Sequence, residues 1–279
     1  MADLSDRAHA IRHEIMTQMW STGTAPTIAQ LRDKFQVTDD ELAVDMRALE
    51  GAFCVAVQDE EHASCPTFQD EPYPQPPLGE LVYARPFATF PNHYRITVDG
   101  EQRWFAECAV EACAISGQFP GSDVVVESVC RHTGQPVRLV GRDGVLVDYE
   151  PKTLRVHLGY PVSEMGVRVV GWCDYNSFFA SEEAADQWRS EHPEIHGITR
   201  APEQMANIIT EMLGVGRLDY GYQPVFPLLT ITRNLRRFGI FGRSLDSFPR
   251  PERFWLPTPG LLLAMRRAGR GFFVRIRLR

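Results

Sequence analysis

A proline-rich stretch divides this chain. Residues 58–79 begin with the acids Asp59, Glu60 and Glu61 and continue with Pro66, Pro72, Pro74, Pro76 and Pro77. Proline has no amide hydrogen to donate, so the stretch cannot run inside a sheet and reads as a linker. In front of it the apolar period is helical. Ile11, Ile15 and Met19 fall four apart and stack on one face, with Trp20 beside them, until Gly23 and Pro26 break the pattern. Thr27-Ile-Ala-Gln30 and Thr38-Asp-Asp-Glu41 are capping boxes, in which the threonine hydroxyl bonds the third helical amide and the Gln or Glu reaches back. They open short helices over about 27–35 and 39–50, with Ile28, Leu31, Phe35, Leu42, Met46 and Leu49 turned inward. Phe53–Val57 reads as a strand. Three helices followed by a strand are the outline of a winged helix.

Behind the linker most runs are strand-like. Val82–Thr89 and His93–Val98 are short strands, Asp99-Gly100 is a hairpin turn, and Gln102–Phe105 returns the chain. Residues 107–116 lose the alternation, are rich in alanine and read as a helix ended by Gly117. Val124–Val129, Val137–Val140, Val145–Tyr149, Thr153–Leu158 and Val167–Gly171 are strand-like, and Arg142-Asp143-Gly144 is a tight turn. After Phe178–Ala180, Ser181-Glu-Glu-Ala caps a helix over 182–190 holding Trp188, and a last helix covers about 202–213. The predicted class is α+β. A winged-helix-like N-terminal domain (1–60) and a linker (61–79) precede a mixed-sheet core with flanking helices (80–220) and a basic C-terminal extension (221–279).

Charge limits the partners. Residues 221–279 hold twelve arginines, no lysine and two acids, a net of +10, while the rest of the chain carries −17. An acidic body repels nucleic acid over most of its surface. The helix that would enter a DNA groove is itself acidic (Asp39, Asp40, Glu41, Asp45, Glu50 against Arg47), so no DNA binding is predicted. The basic extension interleaves arginine with aromatics such as Phe226, Phe238, Phe254 and Trp255. That pattern suits docking on the acidic body through cation–π contacts, stacking on bases, or an anionic membrane partner, and the three stay open. No run of eighteen apolar residues suggests a membrane span, and the charged N-terminus is unlike a secretory leader. The expected compartment is the reducing cytoplasm, with Cys54, Cys65, Cys108, Cys113, Cys130 and Cys173 as thiols. None forms a C-x-x-C pair.

Two segments hold candidate chemistry. In Cys108-Ala-Val-Glu111 the thiol and the carboxyl are three apart, on one face of the predicted helix, with the thiol near its N-terminus. In Trp172-Cys173-Asp-Tyr-Asn-Ser-Phe-Phe-Ala-Ser181 a cysteine ends an apolar strand before a polar turn. Either cysteine alone could be a small buried hydrophobe. Cys113 is rotated away from Cys108 and reads as core, and Cys54 as packing. Cys65, in the linker, is either packing or an exposed metal-collecting thiol. His93, placed in a strand, and His132, in a turn, are read as structural. Trp104, Phe105 and Trp172 flank the cysteines as either pocket walls or core.

Together these segments resemble the organomercurial (alkylmercury) lyases, a likeness running from the capping-box helices to the helix near 213. Its most specific pieces are Cys108-Ala-Val-Glu111 after a hairpin, Ser128-Val-Cys130-Arg-His-Thr-Gly134-Gln-Pro-Val137, and Cys173 followed by Phe178-Phe-Ala-Ser181 and Glu183-x-Ala185-x-x-Trp188. The resemblance implies that Cys108 and Cys173 bind mercury and are catalytic, and that Cys130 is structural. It places Glu111, as the proton shuttle, where the family usually has aspartate. Mercury(II) is soft and prefers thiolate to oxygen. Two thiolates on R–Hg⁺ push electron density onto carbon, which a nearby acid protonates. The implied products are a hydrocarbon and Hg(II) held by both cysteines. No resident cofactor is implied. Cytosolic thiols, or a mercuric reductase as partner, would remove the metal. The alternative is a thiol-based binding protein for mercury or another soft metal or organometal that breaks no carbon–metal bond.

Overall fold

The computed structural model describes residues 4–58, 67–68, 71–74, 76–161, 173, 175–214 and 216–222. Helix α1 (Asp6–Thr22) starts at Ser5, whose hydroxyl accepts from the Ala8 amide, and stops at Gly23, at φ 75°. A side chain at Gly23 would strike the Arg103 carbonyl, so close approach as well as φ demands glycine. Both capping boxes form, opening α2 (Ile28–Phe35) and α3 (Asp39–Gly51). Ile11, Ile15, Met19, Leu31, Leu42, Met46 and Leu49 are buried, and Ile28 and Phe35 pack partly against them. Trp20 does not join that face: it is 45 % exposed.

The strands form three sheets. The largest is built from β1 (Val55–Val57), β4 (Leu81–Ala84), β5 (Phe87–Ala88), β6 (Arg95–Val98), β7 (Glu101–Ala106), β8 (Val124–Val129), β9 (Pro136–Arg142) and β10 (Val145–Glu150), in the order β1-β4-β5-β7-β6-β8-β9-β10. A second has β11 (Arg155–Pro161) between β12 (Ser177–Phe179) and β13 (Ile195–Arg200). The third pairs β2 (Thr67–Phe68) with β3 (Glu71–Pro72), so the proline-rich stretch carries a minimal hairpin of its own.

Several expectations are corrected. Every strand pair among the described residues is antiparallel, so the sheet is not mixed. Hairpins link most neighbours in the large sheet, and antiparallel pairing needs no long crossover. The run 82–89 is two strands, because the chain turns back at Arg85-Pro86. β1 is the edge strand of the large sheet, paired with β4. Strand β13 was not anticipated, since Gly197 interrupts its apolar alternation. The predicted strand 167–171 lies outside the described residues. His93 sits at a bend before β6, its ring 5.3 Å from that of Tyr73.

Helices α4 (Ala109–Ala114), α5 (Glu182–Glu191) and α6 (Pro202–Leu213) complete the fold. One apolar core runs from α1–α3 through the inner face of the large sheet to α4 and α6, and includes Cys108 and Cys173. Phe179, Trp188, Ala185 and Cys130 form a smaller cluster under α5. Among the described residues no helix is long and apolar enough to cross a membrane. All of the extension beyond Tyr222 lies outside the described residues.

Candidate active site

Strand β7 delivers the first half of the site. The Ala106 amide donates to the Tyr94 carbonyl at 2.9 Å and the Glu107 amide to the Pro86 carbonyl at 2.9 Å, so the backbone is held beyond the strand's end. Cys108 follows as the cap residue of α4 with extended backbone (φ −161°, ψ 175°), one residue outside the helix in which the sequence placed it. Its side chain makes no cap bond. Its sulfur instead accepts from Asn176 Nδ2 at 3.5 Å.

Asn176 joins this segment to the one carrying Cys173. Its amide donates to the Cys173 carbonyl at 3.1 Å, and its carbonyl accepts from the Ala109 amide at 3.3 Å and the Tyr94 hydroxyl at 3.0 Å. Its Oδ1 accepts from the Gly159 amide on β11 at 3.0 Å. These bonds tie Cys108 and Cys173, sixty-five positions apart, to one residue. Both are buried, and neither is in a disulfide.

Two carboxylates lie in this interior, each with an arginine. The Cys173 thiol donates to Glu107 Oε1 at 2.9 Å, and Arg85 Nη2 sits 3.1 Å from the same oxygen. Glu111 Oε2 is 2.9 Å from Arg217 Nη2. All four side chains are nearly sealed from solvent: 3 % and 0 % exposed for Arg85 and Glu107, 4 % and 7 % for Arg217 and Glu111. Buried charges persist when paired, and here two cations offset two anions. Arg85 is seated on the Phe53 ring, its Cζ 3.4 Å from the centroid. The segment carrying Arg217 is tied to α1: the Arg12 guanidinium donates to the Asp219 carbonyl at 3.0 Å and to the Arg217 carbonyl, and lies 4.6 Å over the Tyr222 ring.

The environment sets the protonation states. The Cys108 thiol, burial and the Glu107 charge together hold the Cys173 thiol well above the ordinary thiol range, against the pull of Arg85. Burial raises the Glu107 carboxyl, and Arg85 offsets part of that rise. Cys173 at rest is therefore a protonated thiol pointing at a carboxylate that can receive its proton.

The structure thus brings together Cys108 and Cys173, and places Glu111 on α4 facing Arg217. Sequence reasoning passed over Glu107, Arg85, Asn176, Tyr94 and Arg217. Glu107 adjoins Cys108 and Asn176 lies inside the quoted second segment, so both were in view without a signal of their own. Of the flanking aromatics, Trp104 is core: its indole donates to the Met19 carbonyl at 2.9 Å and its ring meets Phe119 edge-on. Phe105 packs partly on the outer face beside Tyr83 and Phe90. Trp172 and Cys65 lie outside the described residues. Cys113 is buried, donates to the Ala109 carbonyl at 3.2 Å, and is pushed well up by burial. Cys54 is likewise buried. Cys130 anchors a turn, its amide donating to the Gln135 carbonyl at 2.8 Å and its carbonyl accepting from Gly134 at 2.9 Å. His132 lies 3.6 Å from Glu191. No group of three or more His, Cys, Asp or Glu among the described residues is arranged to hold a metal ion. Cys108 and Cys173 are a pair of donors, which suits a soft ion of low coordination number.

Part of the chain is similar to known proteins. Residues 87–214 match the family model for alkylmercury lyase. The alkylmercury lyase of Bacillus cereus is 34 % identical over 103 residues, 37 % of this chain and 46 % of that one. That of Staphylococcus epidermidis is 35 % identical over 104 residues (37 % and 47 %), and that of Pseudomonas putida 32 % over 109 residues (39 % and 49 %). The chain thus spans somewhat under half the length of these relatives. A solved structure described as the mercury-bound form of MerB2 shares the fold, with a TM-score of 0.54 at 20 % identity over 84 % of this chain and 92 % of that one. The stretch of chain over 87–214, which holds both cysteines and both carboxylates, is thus similar to the alkylmercury lyases.

Proposed function

We propose that this protein is an organomercurial lyase, cleaving the carbon–mercury bond of R–Hg⁺ to a hydrocarbon and Hg(II). The observation that carries the reading is a pair of reduced, buried thiols joined through Asn176, with a carboxylate hydrogen-bonded to one of them. A metal trap needs two thiols and no acid. Protonolysis needs both, because carbon leaves with the bonding electrons and must be capped. In this reading Cys108 and Cys173 grip the mercury, Asn176 positions Cys108, and a buried carboxyl moves the proton. The resemblance offers Glu111 as that carboxyl. The dry interior strengthens each of these interactions and keeps water from competing.

No resident cofactor is required. Free thiols, or a mercuric reductase, would collect the Hg(II), which places the reaction in a reducing cytoplasm and in mercury detoxification. The acidic third helix supports no role for DNA. The second reading is a thiol trap for mercury or another soft metal. One assay separates them: purified protein, excess thiol and phenylmercuric acetate, with benzene measured in the headspace. The lyase reading predicts multiple turnovers, and uptake of one mercury per chain without benzene would establish the trap. Cys108→Ser and Cys173→Ser should each abolish benzene release, since a hydroxyl is a poor mercury ligand.

A further inference from the structure

Two carboxylates share this interior, and their surroundings differ. Glu111 Oε2 faces a cation, Arg217. Glu107 Oε1 faces the sulfur of Cys173 at 2.9 Å; the Oε2 atoms of both glutamates are buried without a hydrogen bond among the described residues, but that of Glu111 sits 2.9 Å from Arg217 Nη2. An unpaired buried carboxylate oxygen is costly, so its retention calls for a reason. Accepting a proton would provide one.

We propose that Glu107 is the catalytic acid–base residue of the site: it takes the proton of Cys173 and returns it to the departing carbon. This rests on the lyase reading above. R–Hg–X first exchanges X⁻ for the Cys108 sulfur, and the Cys108 proton leaves with X⁻ as HX. As mercury meets the second sulfur, the S–H bond of Cys173 breaks, an O–H bond forms on Glu107, and the sulfur electron pair forms the second S–Hg bond. The C–Hg bond then breaks, its electron pair forming a C–H bond with the proton from Glu107. The sum is R–Hg–X plus two thiols giving R–H, HX and mercury bound by two thiolates, with Glu107 restored as carboxylate.

The Cys173 thiol donates to Glu107 Oε1 at 2.9 Å, so the path of the proton is already laid when a soft cation bonds to the sulfur. Arg85 holds the base in line: its guanidinium is braced on Phe53 and grips the oxygen that receives the thiol hydrogen bond. Arg85 lies just outside the span matched by the family model, as does Arg217. Glu111 keeps a separate duty, neutralising Arg217 and with it fixing the 216–222 segment to α4.

The test is Glu107→Gln, with Glu107→Asp beside it and circular dichroism to check folding. Two rates are read with phenylmercuric acetate in excess thiol: mercury uptake, from the mercury–thiolate absorbance in stopped flow, and benzene release. Glu107→Gln should slow both by about a hundredfold or more near neutral pH. Its uptake rate should then climb about tenfold per pH unit, because hydroxide must strip the thiol. Glu107→Asp keeps the charge and retreats by about 1 Å, so it should recover the wild-type pH profile and lose chiefly kcat. Both rates of Glu107→Gln staying within about threefold of wild type, with its pH profile, would overturn the proposal. Benzene release that is normal in wild type and in Glu107→Gln alike counts against Glu107 alone. Wild-type protein that takes up mercury and frees no benzene refutes the lyase reading, and the return of the proton to carbon with it.

Discussion

Arg85→Met removes the cation from a pair in which both side chains are almost fully enclosed. Methionine fills much of the arginine stem's volume and can lie on Phe53, so the principal loss is charge. Glu107 is then a buried carboxylate without its counter-ion, and burial, already raising its carboxyl, acts unopposed by Arg85. The cheapest response is to stay protonated. Holding a proton at pH 7 on a group that ordinarily ionises near 4.5 costs at most about 3.4 kcal/mol, at 1.36 kcal/mol per pH unit. This agrees with the ~3–5 kcal/mol typical of halving a buried pair. The sign of the pH dependence follows. In the variant the folded chain holds a proton that the unfolded chain has lost, so the variant's penalty grows as pH rises above about 4.5 and vanishes below it. Urea unfolding at pH 7, 6 and 5 should show the deficit of Arg85→Met shrinking as pH falls, by up to about 1.4 kcal/mol per pH unit while wild-type Glu107 stays ionised. A deficit under about 1 kcal/mol at pH 7, or one equal at all three pH values, would refute the argument that Arg85 sustains the charge on Glu107.

Gly197→Ala should be among the most damaging small substitutions. The new methyl would sit 2.2 Å from the Leu158 carbonyl and 2.8 Å from Gly159 Cα, both backbone atoms of the paired strand. β11 and β13 must part there, so a loss of ~2–4 kcal/mol is expected in thermal unfolding. Because the Gly159 amide also holds Asn176, benzene release should fall more than stability alone explains. Two truncations separate the extension from the site. Ending the chain after Tyr222 should leave turnover intact. Ending it after Gly214 removes Arg217 and the carbonyls that Arg12 holds, and should cost both stability and activity in the same assays.

The local elements were legible because their causes are local. A threonine three residues ahead of a Gln or Glu satisfies amides within a single turn, and both boxes formed as read. Asp99-Gly100 and Asp143-Gly144 adopt positive φ and close their hairpins, as residues of those types do. Ser181 caps α5 by the same short-range chemistry. The failures were equally physical. β4 and β5 looked like one strand because apolar alternation does not register a turn at Arg85-Pro86, and β13 was missed because a glycine chosen for close approach leaves a gap in the pattern.

Residue types and order along the chain were enough to name two thiols and a carboxyl, and to set the helices and most of the hairpins, since these rest on contacts a few residues long. Which carboxyl stands at which sulfur was beyond their reach. Glu107 and Glu111 are four residues apart and chemically identical. What distinguishes them is that β4 brings Arg85 to one and the segment after α6 brings Arg217 to the other, leaving only Glu107 aimed at Cys173. Proton affinity depends on burial and on the charges nearby, and those are fixed by distant strands meeting in space.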